Sequence, residues 1–194
     1  MKIKYLLPLT LTVLAFTGVN ATTVVPPTFE QLVQQAEVIF QGTVTDVKSV
    51  WEGQGAQRHI ETYVTFQIQD SVKGDAGNSY TIRMLGGTVG EESLVVVDAP
   101  NFPVGDREIL FVEHNYDQFV PLVGIDHGRF HVQHDSETGQ DFVVDDHGEA
   151  LRDLAKLGHA EQSAATGGMI SPEQLKSAIK DQLKTQAAAD HPAQ

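Results

Sequence analysis

From His59 to Ile68 the chain alternates without a break. Ile60, Thr62, Val64, Phe66 and Ile68 fall on one side, and His59, Glu61, Tyr63, Thr65 and Gln67 on the other. A two-residue period with one wet face is the mark of an extended strand in an antiparallel sheet. The rest of the chain must therefore supply partner strands. Upstream of it, Phe40, Gly42 and Val44 alternate with Gln41, Thr43 and Thr45, and the apolar set then changes phase to Val47 and Trp51. A phase change inside one strand predicts a bulge, and Gly42 permits close backbone approach there. Downstream, a turn over 73–78 leads to Tyr80, Ile82 and Met84, which resume the alternation.

The later strands are shorter. Gly86 to Gly90 opens a loop before the apolar run from Leu94 to Val97. Ile109 to Val112 is continuously apolar, as expected of a strand covered on both faces. Phe119 to Val123 contains Pro121, which predicts an edge strand. Phe130 to Val132 and Phe142 to Val144 flank a polar hairpin turn at Asp135–Gly139.

Helices are expected at the two ends. Thr28 and Gln31 form a capping box ahead of Phe29, Leu32, Val33 and Ala36, which share one helical face. Asp146 and Glu149 predict a second box, for a helix carrying Leu151, Leu154 and Leu157 and stopped by Gly158. Small residues over 159–170 read as a linker. Ser171, Pro172 and Gln174 then start an amphipathic tail helix over 171–188. Its apolar stripe of Leu175, Ala178, Ile179 and Leu183 is narrow, which predicts a helix that docks weakly or sits apart from the domain. The fold class implied is mainly β: a small antiparallel barrel of the oligonucleotide/oligosaccharide-binding (OB) type over 22–158, with a β-sandwich as the competing answer.

Residues 1–21 predict export. Lys2 and Lys4 precede an apolar run from Leu6 to Phe16, and Val19-Asn20-Ala21 offers a signal-peptidase site. The run is too short to span a bilayer as a helix, and no later segment approaches that length. The compartment expected is the periplasm or the external medium, with no membrane insertion after cleavage. Beyond the 21 residues the chain carries 11 basic and 26 acidic residues, because the signal takes only Lys2 and Lys4 with it; the formal charge is −15. Such a surface repels phosphate backbones, so nucleic acid is a poor partner. Protein partners and extracellular polymers fit better. There is no cysteine, so no disulfide supports the fold.

The stretch Leu32–Gly42, the strand Thr62–Phe66, Val72-Lys73-Gly74, and Gly105-Asp106-Arg107 with Leu110-Phe111 together resemble a family of uncharacterised exported bacterial proteins. The likeness covers most of 28–132 and lies in structural elements. More distantly the layout resembles the netrin-like barrels of metalloprotease inhibitors. Those depend on a cysteine at the mature N-terminus, whereas this chain has Thr22-Thr23 there and no cysteine, so their inhibitory mechanism does not transfer.

Six of the eight histidines lie between His114 and His159. His114, His127, His131 and His147, with Asp126, Asp145 and Asp146 nearby, are the donor types that zinc, copper or nickel prefer. No local segment supplies a ready site: in an extended chain His127 and His131 would lie about 13 Å apart. His131 and His134 would face opposite ways. Only the fold, or a strand break at Gly128, can gather these ligands. Asp135 to Asp146 faintly echoes a calcium loop, but its glycine is one place early and its flanks read as strands. Gly86–Gly90 lacks the lysine of a phosphate loop and runs into Glu91-Glu92. No nucleophile elbow and no H-E-x-x-H motif is present. Trp51 and Tyr63 are candidates for a ligand-binding face. These features predict a non-enzymatic exported module that binds a protein partner or an extracellular polymer, with no cofactor beyond a possible divalent metal. The alternative is a metal-dependent protein, with hydrolysis as one version of it, and a third reading, protease inhibition, rests on fold analogy alone.

Overall fold

A computed structural model describes residues 26–159 and 167–190; the signal-like stretch 1–21 and part of the expected linker lie outside them. In chain order the elements are α1 (Phe29–Gln35), β1 (Val38–Glu52), β2 (His59–Lys73), β3 (Ser79–Leu85), β4 (Gly87–Val89), β5 (Glu92–Leu94), β6 (Arg107–Val112), β7 (Arg129–Asp135), β8 (Gln140–Val144) and α2 (Pro172–Asp190). Six strands form one antiparallel sheet in the order β3-β2-β1-β6-β7-β8, and β4 pairs with β5 as a separate hairpin. The mainly β, antiparallel class follows the pattern in the sequence.

The sheet is not a closed barrel, and among the described residues there is no second large sheet to make a sandwich. The free edge of β3 is taken up by the loop that follows β6. Leu85 N donates to Phe119 O at 2.7 Å, and the Asn115 side chain bonds both Arg83 N and Thr81 O. A loop thus satisfies the backbone groups that a closing strand would have needed. The segment around Pro121 forms no strand, only a single bridge from Leu122 to Val112. Proline's missing donor limits any ladder there.

β1 bends as predicted. Its pairing with β2 shifts register at Ile39/Phe40, Gln41/Gly42 and Val44/Asp46. A Cβ on Gly42 would sit 3.1 Å from Gln67 O and 3.2 Å from Phe66 Cβ, so glycine lets the strands approach at the bend. β6 is covered on both faces. Ile109 and Phe111 join Leu32, Val33, Phe130 and Val143 in one core, while Leu110 and Val112 join Phe40, Phe66, Phe102 and Leu122 in the other.

Both end helices have the predicted caps: Thr28 with Gln31, and Ser171 with Gln174. The tail helix is firmly docked, against expectation. Its Leu175 and Ile179 are fully buried in the same core as Leu32 and Val33. Full burial of a leucine or isoleucine side chain contributes about 1.5–3 kcal/mol, so a stripe of two such residues suffices. The helix expected after Asp146 is absent. The Asp145 carboxylate instead accepts the N–H groups of His147 and Glu149 in a turn. Leu151 N then donates to Val143 O, and Leu151 O accepts from Ile170 N. These strand-like bonds compete successfully with the local helix signal. Only one 3-10 turn, Leu154–Lys156, remains. The Gly86–Gly90 loop becomes the β4–β5 hairpin, and Val95 and Val97 beyond it are exposed.

Candidate metal centre

The antiparallel register of β6 and β7 sets Glu108 directly opposite His131, and Leu110 opposite Arg129. Opposed residues share a sheet face, so Glu108, Arg129 and His131 lie on the side of Leu110 and Phe102. Glu108 is fully buried. Its Oε1 accepts a hydrogen bond from Arg129 Nη2 at 2.8 Å and lies 3.1 Å from His131 Nδ1. The Arg129 guanidinium stacks 4.2 Å from the centre of the Phe102 ring. Glu108 Oε2 and Arg129 Nε are buried without a partner. Asp106, just ahead of β6, completes a trio with Glu108 and His131 whose ligand atoms all lie within 4.8 Å of one another.

The turn that feeds β7 builds a second cluster. Arg129 N donates to Asp126 O at 3.0 Å, which closes the turn one residue past Gly128. A Cβ on Gly128 would lie 2.9 Å from backbone atoms of Phe111 and Val123, so this packing requires glycine. His127 and Asp126 are thereby presented toward Asp146, which follows the end of β8. His127 Nδ1 lies 3.6 Å from Asp146 Oδ2 and 4.0 Å from Asp126 Oδ1, and His147 Nδ1 lies 3.7 Å from Asp146 Oδ2. The ligand atoms of Asp126, His127 and Asp146 fall within 4.8 Å of one another. Asp146 Oδ2 is buried and accepts no hydrogen bond. Burial raises the Asp146 carboxyl pKa above its ordinary value, the facing Asp126 charge adds to that, and His147 and His127 oppose it.

These separations are too long for hydrogen bonds. Ligand atoms bonded to one zinc ion at about 2.0–2.2 Å stand roughly 3–3.5 Å apart. A small contraction of Asp126, His127 and Asp146 about one ion would give that spacing. Two carboxylates and an imidazole form a mixed O/N set of the kind borderline divalent metals accept.

Of the four histidines singled out from the sequence, His127 and His147 flank Asp146, His131 belongs to the neighbouring trio, and His114 stands elsewhere. His114 Nδ1 accepts from Gln118 Nε2 at 3.1 Å and lies 3.7 Å from Glu113. They do not form one four-histidine site. Glu108 and Asp106 escaped sequence reasoning because the apolar run that marked β6 begins at Ile109.

Trp51 and Tyr63 are not brought onto one face. Trp51 opposes Ile60 and Lys48 opposes Tyr63 in the β1–β2 ladder, so the two aromatic residues point to opposite sides. Arg58 lies over Trp51, 3.9 Å from the ring centre. The Tyr63 hydroxyl donates to Glu61 Oε2 at 3.1 Å and to Glu52 Oε1 at 3.3 Å. Burial, with help from Glu61, pushes its pKa up to about 12. Glu61 Oε1 also takes Arg83 Nη1 at 2.8 Å and stands 3.0 Å from His59 Nε2.

Most of the calcium-like stretch is the β7–β8 hairpin, where the carboxylates of Asp135 and Asp141 are already engaged. Asp135 accepts from Glu137 N and Thr138 Oγ1. Asp141 accepts two hydrogen bonds from Arg107 and lies 2.9 Å from His134, and the Arg107 bonds, then His134, hold its pKa down at about 2.

No protein-family model matches the sequence, and no curated protein matches it. Among the described residues no helix is long and apolar enough to cross a membrane.

Proposed function

We propose that this chain is an exported β-module that holds a borderline divalent cation, zinc foremost, between Asp126, His127 and Asp146. The observation that carries this reading is Asp146 Oδ2: it is buried, accepts no hydrogen bond, and stands 3.6 Å from one imidazole nitrogen and 3.7 Å from another. A buried carboxylate oxygen without a donor is costly, and a shared cation would satisfy it together with Asp126. Three protein ligands leave a fourth position for water or for a donor from a partner, and exposed His147 stands 3.7 Å from Asp146 Oδ2. Hydrolysis is the version of this reading in which that water reacts.

Export belongs to the proposal on the strength of Lys2, Lys4, the Leu6–Phe16 run and Ala21. So does kinship to OB-type barrels and to the uncharacterised exported family. It is supported by the bulged β1, which pairs with β2 along its length and with β6 through Val38–Thr43.

The test is a calorimetric titration of chelator-treated protein with Zn²⁺, Mn²⁺ and Ca²⁺. The reading expects saturable Zn²⁺ binding that loses one equivalent in Asp146→Ala and in His127→Ala. Unchanged stoichiometry in both variants would remove it.

A second reading, binding of an extracellular polymer or protein, draws on an open groove of about 1050 Å³ between the β7–β8 hairpin and the start of α2. Arg107, His134, Gln140, Asp141, Glu173 and Gln174 contribute polar groups to it. Affinity capture from native envelope or culture fluid tests this reading. It expects an enriched partner whose binding is lost in Gln140→Ala/Gln174→Ala; no enrichment, or enrichment indifferent to these changes, would count against it.

A further inference from the structure

We infer that Asp106, Glu108 and His131 form a second divalent-cation site, separate from the Asp126–His127–Asp146 cluster and independent of whether that cluster binds. Their ligand atoms lie within 4.8 Å of one another. Glu108 and His131 are held opposite each other by the β6–β7 ladder, so two of the three donors are fixed before an ion arrives. Independent support comes from Glu108 itself. It is fully buried, and its Oε2 has no hydrogen-bond partner.

Arg129 only partly answers that carboxylate. A guanidinium can grip a carboxylate with two parallel N–H bonds, but here a single Nη2–Oε1 bond is made. Arg129 Nε is buried and unpaired, and the guanidinium lies over Phe102 instead of squarely against Glu108. Asp106 and Glu108 place two carboxyl groups beside the one guanidinium of Arg129. A divalent ion would occupy the free oxygen of Glu108, draw in Asp106, and use the imidazole of His131 as its nitrogen donor. Asp106 and His131 are both partly exposed, so the ion has a route in from solvent. Two oxygens and one nitrogen suit zinc or manganese better than calcium, which takes six to eight oxygens.

The experiment is equilibrium dialysis of the chelator-treated chain against Zn²⁺ in four forms: unaltered, Asp146→Ala, His131→Ala, and the double variant. Circular dichroism and the urea midpoint confirm folding of each. The expected stoichiometry is two, one, one and none. Asp106→Asn, at a half-buried position, should weaken the equivalent that survives in Asp146→Ala by at least about tenfold, which keeps the test open if His131→Ala fails to fold. If Asp146→Ala binds nothing, or binds one equivalent that persists without His131 and is indifferent to Asp106→Asn, the second site is refuted. If instead His131→Ala binds nothing while Asp146→Ala keeps one equivalent, this site stands and the Asp126–His127–Asp146 reading falls.

Discussion

Two of the carboxylate–imidazole clusters in this protein, those around Glu61 and Asp146, are finished differently. Around Glu61 each carboxylate oxygen is engaged. Arg83, His59 and Tyr63 approach at 2.8–3.1 Å. Around Asp146 the same kinds of group stand at 3.6–4.0 Å, and the buried Oδ2 accepts nothing. The Glu61 cluster sits on β2, where Tyr63 directly opposes Arg83 and the ladder aligns donors with acceptors. The Asp146 cluster is assembled from a turn and a strand end, whose backbones leave a gap between the side chains. Residue type therefore does not separate a structural ion network from a binding site. The unanswered buried oxygen, with the gap beside it, is what makes the Asp146 cluster a candidate site.

The largest effect should come from breaking the closed cluster. Glu61→Ala leaves Arg83 half-buried without its carboxylate, and removing one partner of a buried pair typically costs about 3–5 kcal/mol. Urea unfolding should show a loss near the lower end, since Arg83 is 22% exposed. Asp146→Ala removes no hydrogen bond from the Oδ2 oxygen and should shift metal-free stability by less than about 1 kcal/mol. The reverse order would break the comparison.

Zinc sharpens it next. At a free concentration one hundred times the dissociation constant, one site adds about 2.7 kcal/mol. The Asp146 site's increment should survive in Glu61→Ala and be missing from Asp146→Ala, which keeps only the response of the Asp106–Glu108–His131 site, as read from urea midpoints with and without Zn²⁺. Tyr63→Phe, which deletes one donor to an ionised carboxylate, should cost about 1.5 kcal/mol with no change in zinc response.

The smallest effect concerns the half-buried pair of Asp141 and Arg107, with exposed His134 beside it. The folded carboxyl titrates at about 2, below its ordinary 3.8, so ionised Asp141 favours the fold. Its contribution is complete above the ordinary value and disappears as pH falls through about 2. Asp141→Asn should therefore lower stability slightly at neutral pH and begin acid unfolding at higher pH than the parent. The two curves should meet below pH 2. A constant difference across that window would point to packing.

Much of the scaffold was legible because its signals are local. The caps at Thr28 and Ser171 need only a residue three positions away, and β2 announces itself by strict alternation. The helix expected after Asp146 failed where local and long-range bonds compete, since Leu151 finds Val143 and Ile170 across space. The site was half visible. His127, His131 and His147 stood out by type, but which carboxylate each meets depends on the register of β6, β7 and β8, which no short window of sequence sets. Glu108 was hidden beside its own apolar strand. Trp51 and Tyr63 looked like companions, yet the turn between β1 and β2 puts them on opposite faces.

The most direct measurement is the metal content of the chain isolated from its native source without chelator. Elemental analysis should find at least one equivalent of a first-row divalent metal per chain, with one equivalent lost when Asp126, His127 or Asp146 is replaced. Content well below one, unchanged by those replacements, would contradict the idea that the gap at Asp146 is there to be filled by a cation.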